Sequence, residues 1–442
     1  MIARTQGSHT PTLRTRWVTA VVAVLVTIGL SGTVWSRAAA DTPTAAAGTP
    51  IPSAEPFYTP PPSLAGVAPG TVLRTREVSI GVLGTQTPLR ATQALYRTTD
   101  QHGQPIATVT TVIAPPVPAP TPRLVSFHMA YDGLGSACDP SYTLRGNDPG
   151  MLTTTEQVAM SAYLASGHTL VVSDYEGPDL AWTVGRQSGY AALDGVRAAE
   201  SVLALPRSTP VGMVGYSGGS VPTDYAAEVA PRYAPELRIV GAAAGGLPVE
   251  LAHNLPYVSG SKDWAGVIPA IVVAYQRAYG LDTASFLSAR GRALTAAVAD
   301  RCIADFASKY PGLTDADMVR APYHSLLDVP SVVEALNDNI MGTAGTPHIP
   351  MLLGIGQSDA IGDSVMIDAD VRGLARDYCA RGVRVDFRHY PGKSHGGAYQ
   401  PFQTDAYSFL ADRFTGRPTA NSCGTIPPGA ALDPIPVPGG AG

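Results

Sequence analysis

Between residues 124 and 390 the chain repeats one rhythm, in which short apolar runs alternate with helical stretches. The runs lie at 124–130, 169–173, 211–214, 238–243, 350–355 and 383–390. Helical stretches at 155–165, 190–203, 223–229 and 367–379 fall between several of them. Strands that are apolar along their whole length, rather than on alternate residues, are covered on both faces. Alternated with helices, they predict a mostly parallel sheet in an α/β fold. Upstream, β-rich runs at 72–82, 92–98 and 106–113 follow one another without helices and predict an antiparallel lead-in.

One interval breaks the rhythm. Residues 247–348 carry helical candidates at 268–279 and 285–299 and few strand runs. About a hundred residues is too long for a crossover, whose loops ordinarily run about 2–6 residues. The interval reads as a helical cap, or lid, inserted over the C-terminal edge of the sheet. The α/β core is then 65–246 together with 349–425.

The ends read differently. Arg4, Arg14 and Arg16 precede an apolar run at 18–30, and Ala38-Ala39-Ala40 stands before Asp41. Charge, apolar run and small-residue exit are the parts of a cleaved secretory signal peptide, here 1–40. The expected location is therefore outside the cell or in its envelope. Residues 41–64 are rich in Ala, Pro and Thr and read as a linker, and 426–442 as a loose Pro/Gly-rich tail. The four cysteines, Cys138, Cys302, Cys379 and Cys423, predict disulfides in an exported chain, with three pairings open. They lack the paired CxxC spacing of a structural zinc site. A net charge of -5 does not supply the basic face that a nucleic-acid partner needs.

Gly215-Tyr216-Ser217-Gly218-Gly219 fits G-x-S-x-G, with an apolar strand before it and a helical stretch after it. A nucleophilic serine needs such a strand-to-helix turn, because the turn exposes the hydroxyl and aims the next backbone N–H, that of Gly218, at the substrate oxygen. This elbow makes the expected fold an α/β-hydrolase. Its base should follow the last strand. His395 does so, in the loop Tyr390-Pro391-Gly392-Lys393-Ser394-His395-Gly396-Gly397, whereas His389 belongs to the strand itself. An acid should leave the end of the preceding strand, and both Asp359 and Asp363 do. A second oxyanion donor belongs in the loop after the first parallel strand, where Asp132-Gly133 can turn a backbone N–H inward.

These residues resemble the secretory lipase family of the lipase-A type. Tyr131-Asp132 followed by Cys138-Asp139-Pro140-Ser141-Tyr142 is similar to its oxyanion loop and first half-cystine. Ser173-Asp174-Tyr175-Glu176-Gly177 resembles its SDxEG segment, and Tyr233-Ala234-Pro235-Glu236-Leu237 its YAPEL stretch. Gly215-Tyr216-Ser217-Gly218-Gly219 matches its elbow, and Gly245-Gly246-Leu247-Pro248 its GGxP segment before the lid. The resemblance implies Ser217 as nucleophile, His395 as base and Asp363 as acid, with Asp359 the alternative. It implies an oxyanion hole from the backbone of Asp132 and Gly218, and disulfides Cys138–Cys302 and Cys379–Cys423. The implied activity is hydrolysis of acylglycerols and simpler carboxylic esters with no cofactor and no metal. The expected partners are a lipid or other ester substrate and, transiently, lipid interfaces; the chain is expected to be a monomer. The rival readings are an acyltransferase of envelope lipids using the same triad, and a non-catalytic envelope-binding module.

Overall fold

The computed structural model describes residues 49–83, 85–147 and 150–439. The expected signal peptide and residues 41–48 of the expected linker lie outside the described residues.

Three antiparallel strands open the fold: β1 (Val72–Val82), β2 (Thr85–Thr99) and β3 (Pro105–Ile113). The chain then enters the alternating part through β4 (Leu124–His128), α1 (Met151–Ala165), β5 (Thr169–Ser173) and α2 (Gly185–Val202). It continues through β6 (Val211–Tyr216), α3 (Ser220–Tyr233) and β7 (Ile239–Gly245). An insertion follows, built on α4 (Leu251–Val258), α5 (Val267–Tyr279), α6 (Ala289–Val298) and α7 (Pro330–Asn337). The chain returns through β8 (Met351–Gln357), α8 (Asp368–Ala380), β9 (Val385–Pro391) and α9 (His395–Phe414). These strands form one sheet in the order β1-β2-β3-β5-β4-β6-β7-β8-β9, parallel from β5 to β9. The α/β-hydrolase arrangement with a helical insertion is the one expected.

The pleat explains why the parallel strands are apolar throughout. Successive side chains of a strand point to opposite faces. Leu124, Val171, Met213, Ala242, Ala244 and Leu353 join a core with residues of α2, α3 and α8, such as Leu193, Tyr225 and Leu374. Their neighbours Val125, Val172, Val214, Ala243 and Leu352 join a second core with Tyr163 of α1 and Phe402, Phe409 and Leu410 of α9. Each face therefore has its own helices, and neither can carry polar residues cheaply.

Three segments differ from expectation. His395 begins α9 rather than sitting in a loop, with Ser394 as its N-cap accepting the Gly397 N–H at 3.3 Å. Residues 50–64 pack on the antiparallel strands through Phe57, Tyr58 and Leu64, and Glu55 pairs with Arg76 and Arg145. The segment read as a loose tail is tied down as well. Ile426 is buried, Ala430 N–H donates to Ala369 O at 2.8 Å, and Asn337 exchanges two hydrogen bonds with the Ile435 backbone. Backbone hydrogen bonds, which composition does not report, hold these Pro-rich stretches in place.

Candidate active site

The turn after β6 sets the geometry. Ser217 has φ +56°, a left-handed conformation that L-residues adopt only when the surroundings impose it. The turn around it is tight: a Cβ at Gly215 would lie 1.9 Å from the Gly219 carbonyl oxygen. Only glycine fits there, which lets the strand pass directly into a short 3-10 turn and α3, with Ser217 half-buried beside α9.

His395, at the first turn of α9, reaches that hydroxyl. Its Nε2 lies 2.7 Å from Ser217 Oγ, and its Nδ1 lies 2.8 Å from Asp363 Oδ2. The imidazole is fixed from several sides. The His395 N–H donates to Asp363 O at 2.6 Å, and Tyr216 O–H donates to His395 O at 2.6 Å. Asp363 is fully buried, and its second oxygen accepts the N–H groups of Val365 and Met366 at 3.2 and 2.8 Å. A base whose Nδ1 is occupied by a carboxylate presents Nε2 as the proton acceptor toward the serine.

Asp359 takes a different post. It is exposed, accepts the N–H groups of Ile361 and Gly362 at 2.7 and 3.0 Å, and receives the Tyr257 hydroxyl at 2.8 Å. It holds a turn and makes no hydrogen bond to His395. His389 lies on β9 with its Nε2 3.6 Å from Asp368. His128 is buried beneath the elbow between Ser126 Oγ and Thr223 Oγ1, and burial pushes its imidazole down to about 3.

Across from the triad, Asp132 has φ +41° and abuts the elbow so closely that a Cβ on Gly218 would meet its Oδ1 at 1.6 Å. Its carbonyl accepts the Ile303 N–H at 3.1 Å, and its Oδ1 accepts the Trp182 indole N–H at 2.7 Å. Burial pushes its carboxyl up to about 6, against the opposing influence of the indole and of His395. The insertion braces this loop directly. Gly133 and Cys302 form a β-bridge, Leu134 N–H donates to Arg301 O at 2.9 Å, and Cys138–Cys302 is a disulfide. The second disulfide, Cys379–Cys423, joins α8 to the C-terminal segment.

Ser217, Gly218 and Asp132 open into an apolar cavity of about 920 Å³, counting its mouth, walled by Trp182, Trp264 and Ile268 among others. Trp264 and Ile268 come from the insertion. Nothing in the local sequence distinguishes Trp182; its role depends on a loop folding back to Asp132. Among the described residues no group of three His, Cys, Asp or Glu side chains is placed to hold a metal ion, and no helix is long and apolar enough to cross a membrane.

Comparison with known proteins identifies the family. The family model described as secretory lipase matches residues 144–422. A Mycobacterium tuberculosis protein named "Probable inactive lipase MT1628" is 36% identical over 378 residues, covering 83% of each chain. Lipase A of Arthroderma benhamiae is 32% identical over 399 residues, covering 85% of this chain and 82% of that one. The closed-state crystal structure of Candida antarctica lipase A superposes with a TM-score of 0.78 at 28% identity, covering 88% of this chain and 92% of that one. The chain belongs to the secretory lipase family, among the lipase- and esterase-type α/β-hydrolases.

Proposed function

We propose that the protein is an exported serine hydrolase that cleaves carboxylic esters of lipids through an acyl-enzyme on Ser217. The observation that carries this reading is the unbroken line from Ser217 Oγ through His395 to buried Asp363, opening onto an apolar cavity. Ser217 Oγ attacks the ester carbonyl carbon while His395 Nε2 takes its proton. The carbonyl oxygen becomes an oxyanion facing the backbone N–H groups of Asp132 and Gly218. As the tetrahedral centre collapses, the carbon–oxygen bond to the alcohol breaks and His395 returns the proton to the leaving oxygen. Water then repeats the sequence and releases the acid. Asp363 keeps the imidazole in the tautomer that both steps need. The insertion acts as a cap whose apolar wall receives the acyl chain.

A relative named as an inactive lipase makes the non-catalytic reading worth testing directly. A fluorophosphonate probe should label Ser217, and Ser217→Ala should abolish hydrolysis of nitrophenyl esters, a loss on the order of a million-fold. No labelling of the intact protein, or labelling only at Ser220, would overturn the assignment.

A further inference from the structure

Trp182 stands where the acyl cavity meets the oxyanion loop. Its ring lines the same cavity as Ser217 and packs against Phe306, with centroids 5.9 Å apart. Its indole N–H donates to Asp132 Oδ1 at 2.7 Å, on the rim that Asp132 shares with Ser217 and Gly218. The segment that carries it has little freedom to swing. Leu180 and Thr183 on either side have φ of +52° and +62°. Ala181 N–H donates to Glu176 O at 2.9 Å, Val184 N–H to Ala181 O at 3.1 Å, and Gly185 N–H to Asn339 Oδ1 at 2.8 Å.

Asp132 needs such a partner. Its left-handed backbone is one that a non-glycine residue holds only when the surroundings over-determine it. Two hydrogen bonds do so, Ile303 N–H on the carbonyl and Trp182 N–H on the carboxyl. Removing the second leaves a buried carboxyl oxygen without its donor and takes one restraint off the strained backbone. The ring that makes this bond is also a wall that an acyl chain presses on.

We propose that Trp182 is a positioning residue that couples filling of the acyl cavity to the placement of Asp132, so that acyl chain length is expressed in kcat as well as in KM. A chain long enough to pack on the indole holds the ring against Asp132, and the N–H then fixes the oxyanion loop. An acetyl group is too short to fill the cavity and leaves the ring to its protein contacts alone. This inference rests on the reading of Ser217 as an ester-cleaving nucleophile.

The test is Trp182→Phe, which keeps an aromatic wall and removes the N–H, measured on nitrophenyl acetate, butyrate, octanoate and decanoate. The wild type should show kcat rising with chain length. The variant should show a much flatter series, its decanoate kcat falling about tenfold more than its acetate kcat, with KM changed less than about twofold. A loss by one common factor at every length, tracking a lower Tm, would overturn the proposal; so would a change confined to KM. Should Trp182→Phe fail to fold, Phe306→Leu frees the ring while leaving its N–H, and must flatten the kcat series in the same way. Fluorophosphonate labelling of Ser217 separates the two levels. An unlabelled wild type refutes ester hydrolysis, whereas a labelled enzyme with an unaltered series refutes the coupling alone.

Discussion

Trp264, from the insertion, stands edge-on to His395 of the core, with ring centroids 5.5 Å apart and planes at 87°. The imidazole therefore has Asp363 at one nitrogen, Ser217 at the other and an aromatic edge from the insertion nearby. The cavity beside Ser217 is walled mostly by apolar side chains, and such low-polarity surroundings strengthen charge interactions inside the site.

The choice between the two aspartates can be read by mutation. Asp363→Asn should lower kcat on the order of ten-thousand-fold, because an amide at Nδ1 favours the wrong tautomer. Asp359→Asn keeps an oxygen for the Ile361 and Gly362 N–H groups and should leave kcat within a few-fold of wild type. Steady-state kinetics with both variants at matched Tm decides, and the reverse ranking would move the acid to Asp359.

That choice also marks where sequence reading ends. The elbow at Ser217 and the parallel strands are legible because local chemistry demands them: glycine where a Cβ collides, apolar residues where both faces are covered. Asp359 and Asp363 look alike in sequence because both leave the same strand. The family resemblance ranks Asp363 first, but local chemistry does not; the turn that folds Asp363 under His395, with Gly362 bridged to Ile367, separates them physically. α9 is hidden for a different reason. Gly396, Gly397 and Pro401 all disfavour a helix, and packing of Phe402, Phe409 and Leu410 on the sheet outweighs that propensity. Trp182 and Asp132 are 50 residues apart, and no local pattern encodes their bond.

Stability should fall as pH rises from weakly acidic to weakly alkaline. Burial pushes Asp132 up to about 6, Asp174 up to about 7 and Glu156 up to about 8, against roughly 4 for carboxyls in an unfolded chain. The folded state then binds more protons than the unfolded state between about pH 4 and pH 8, so unfolding free energy declines across that window. Glu156 is the sharpest case, since one oxygen meets the Ala130 N–H at 3.5 Å and the other has no partner. Glu156→Gln should raise Tm at pH 8.5 by a few degrees and leave it nearly unchanged at pH 4.5. A Tm profile of the wild type that rises toward alkaline pH would contradict this account.

The two disulfides should separate stability from turnover. Their sequence separations are 164 and 44, for which chain-entropy estimates give roughly 4–5 kcal/mol each as an upper figure. Replacing either pair with serine should lower Tm. Only loss of Cys138–Cys302 should also lower kcat, because Cys302 sits in the strip that pairs with Gly133 and, through Ile303, with Asp132. Cys379–Cys423 joins elements away from the oxyanion loop, and its loss should leave kcat below the lowered Tm unaltered. Equal effects on kcat from both pairs would show that the first disulfide is a staple and nothing more.

The insertion makes the last prediction. Ile268 is buried on α5, Trp264 lies just before that helix, and both line the cavity above Ser217. A wall made of these side chains contributes to binding in proportion to the acyl carbons it covers, about 0.8 kcal/mol per buried CH₂. An acetyl group covers almost none of that wall, whereas a decanoyl chain covers much of it. Trp264→Ala with Ile268→Ala should therefore lower kcat/KM for decanoate esters by about a hundredfold and for acetate esters by less than about fivefold. Movement of the wall to admit the acyl chain predicts that adding an emulsion raises wild-type activity more than that of the variant. Equal losses at every chain length, matching a fall in Tm, would leave the insertion as a structural element that completes the core without shaping the substrate.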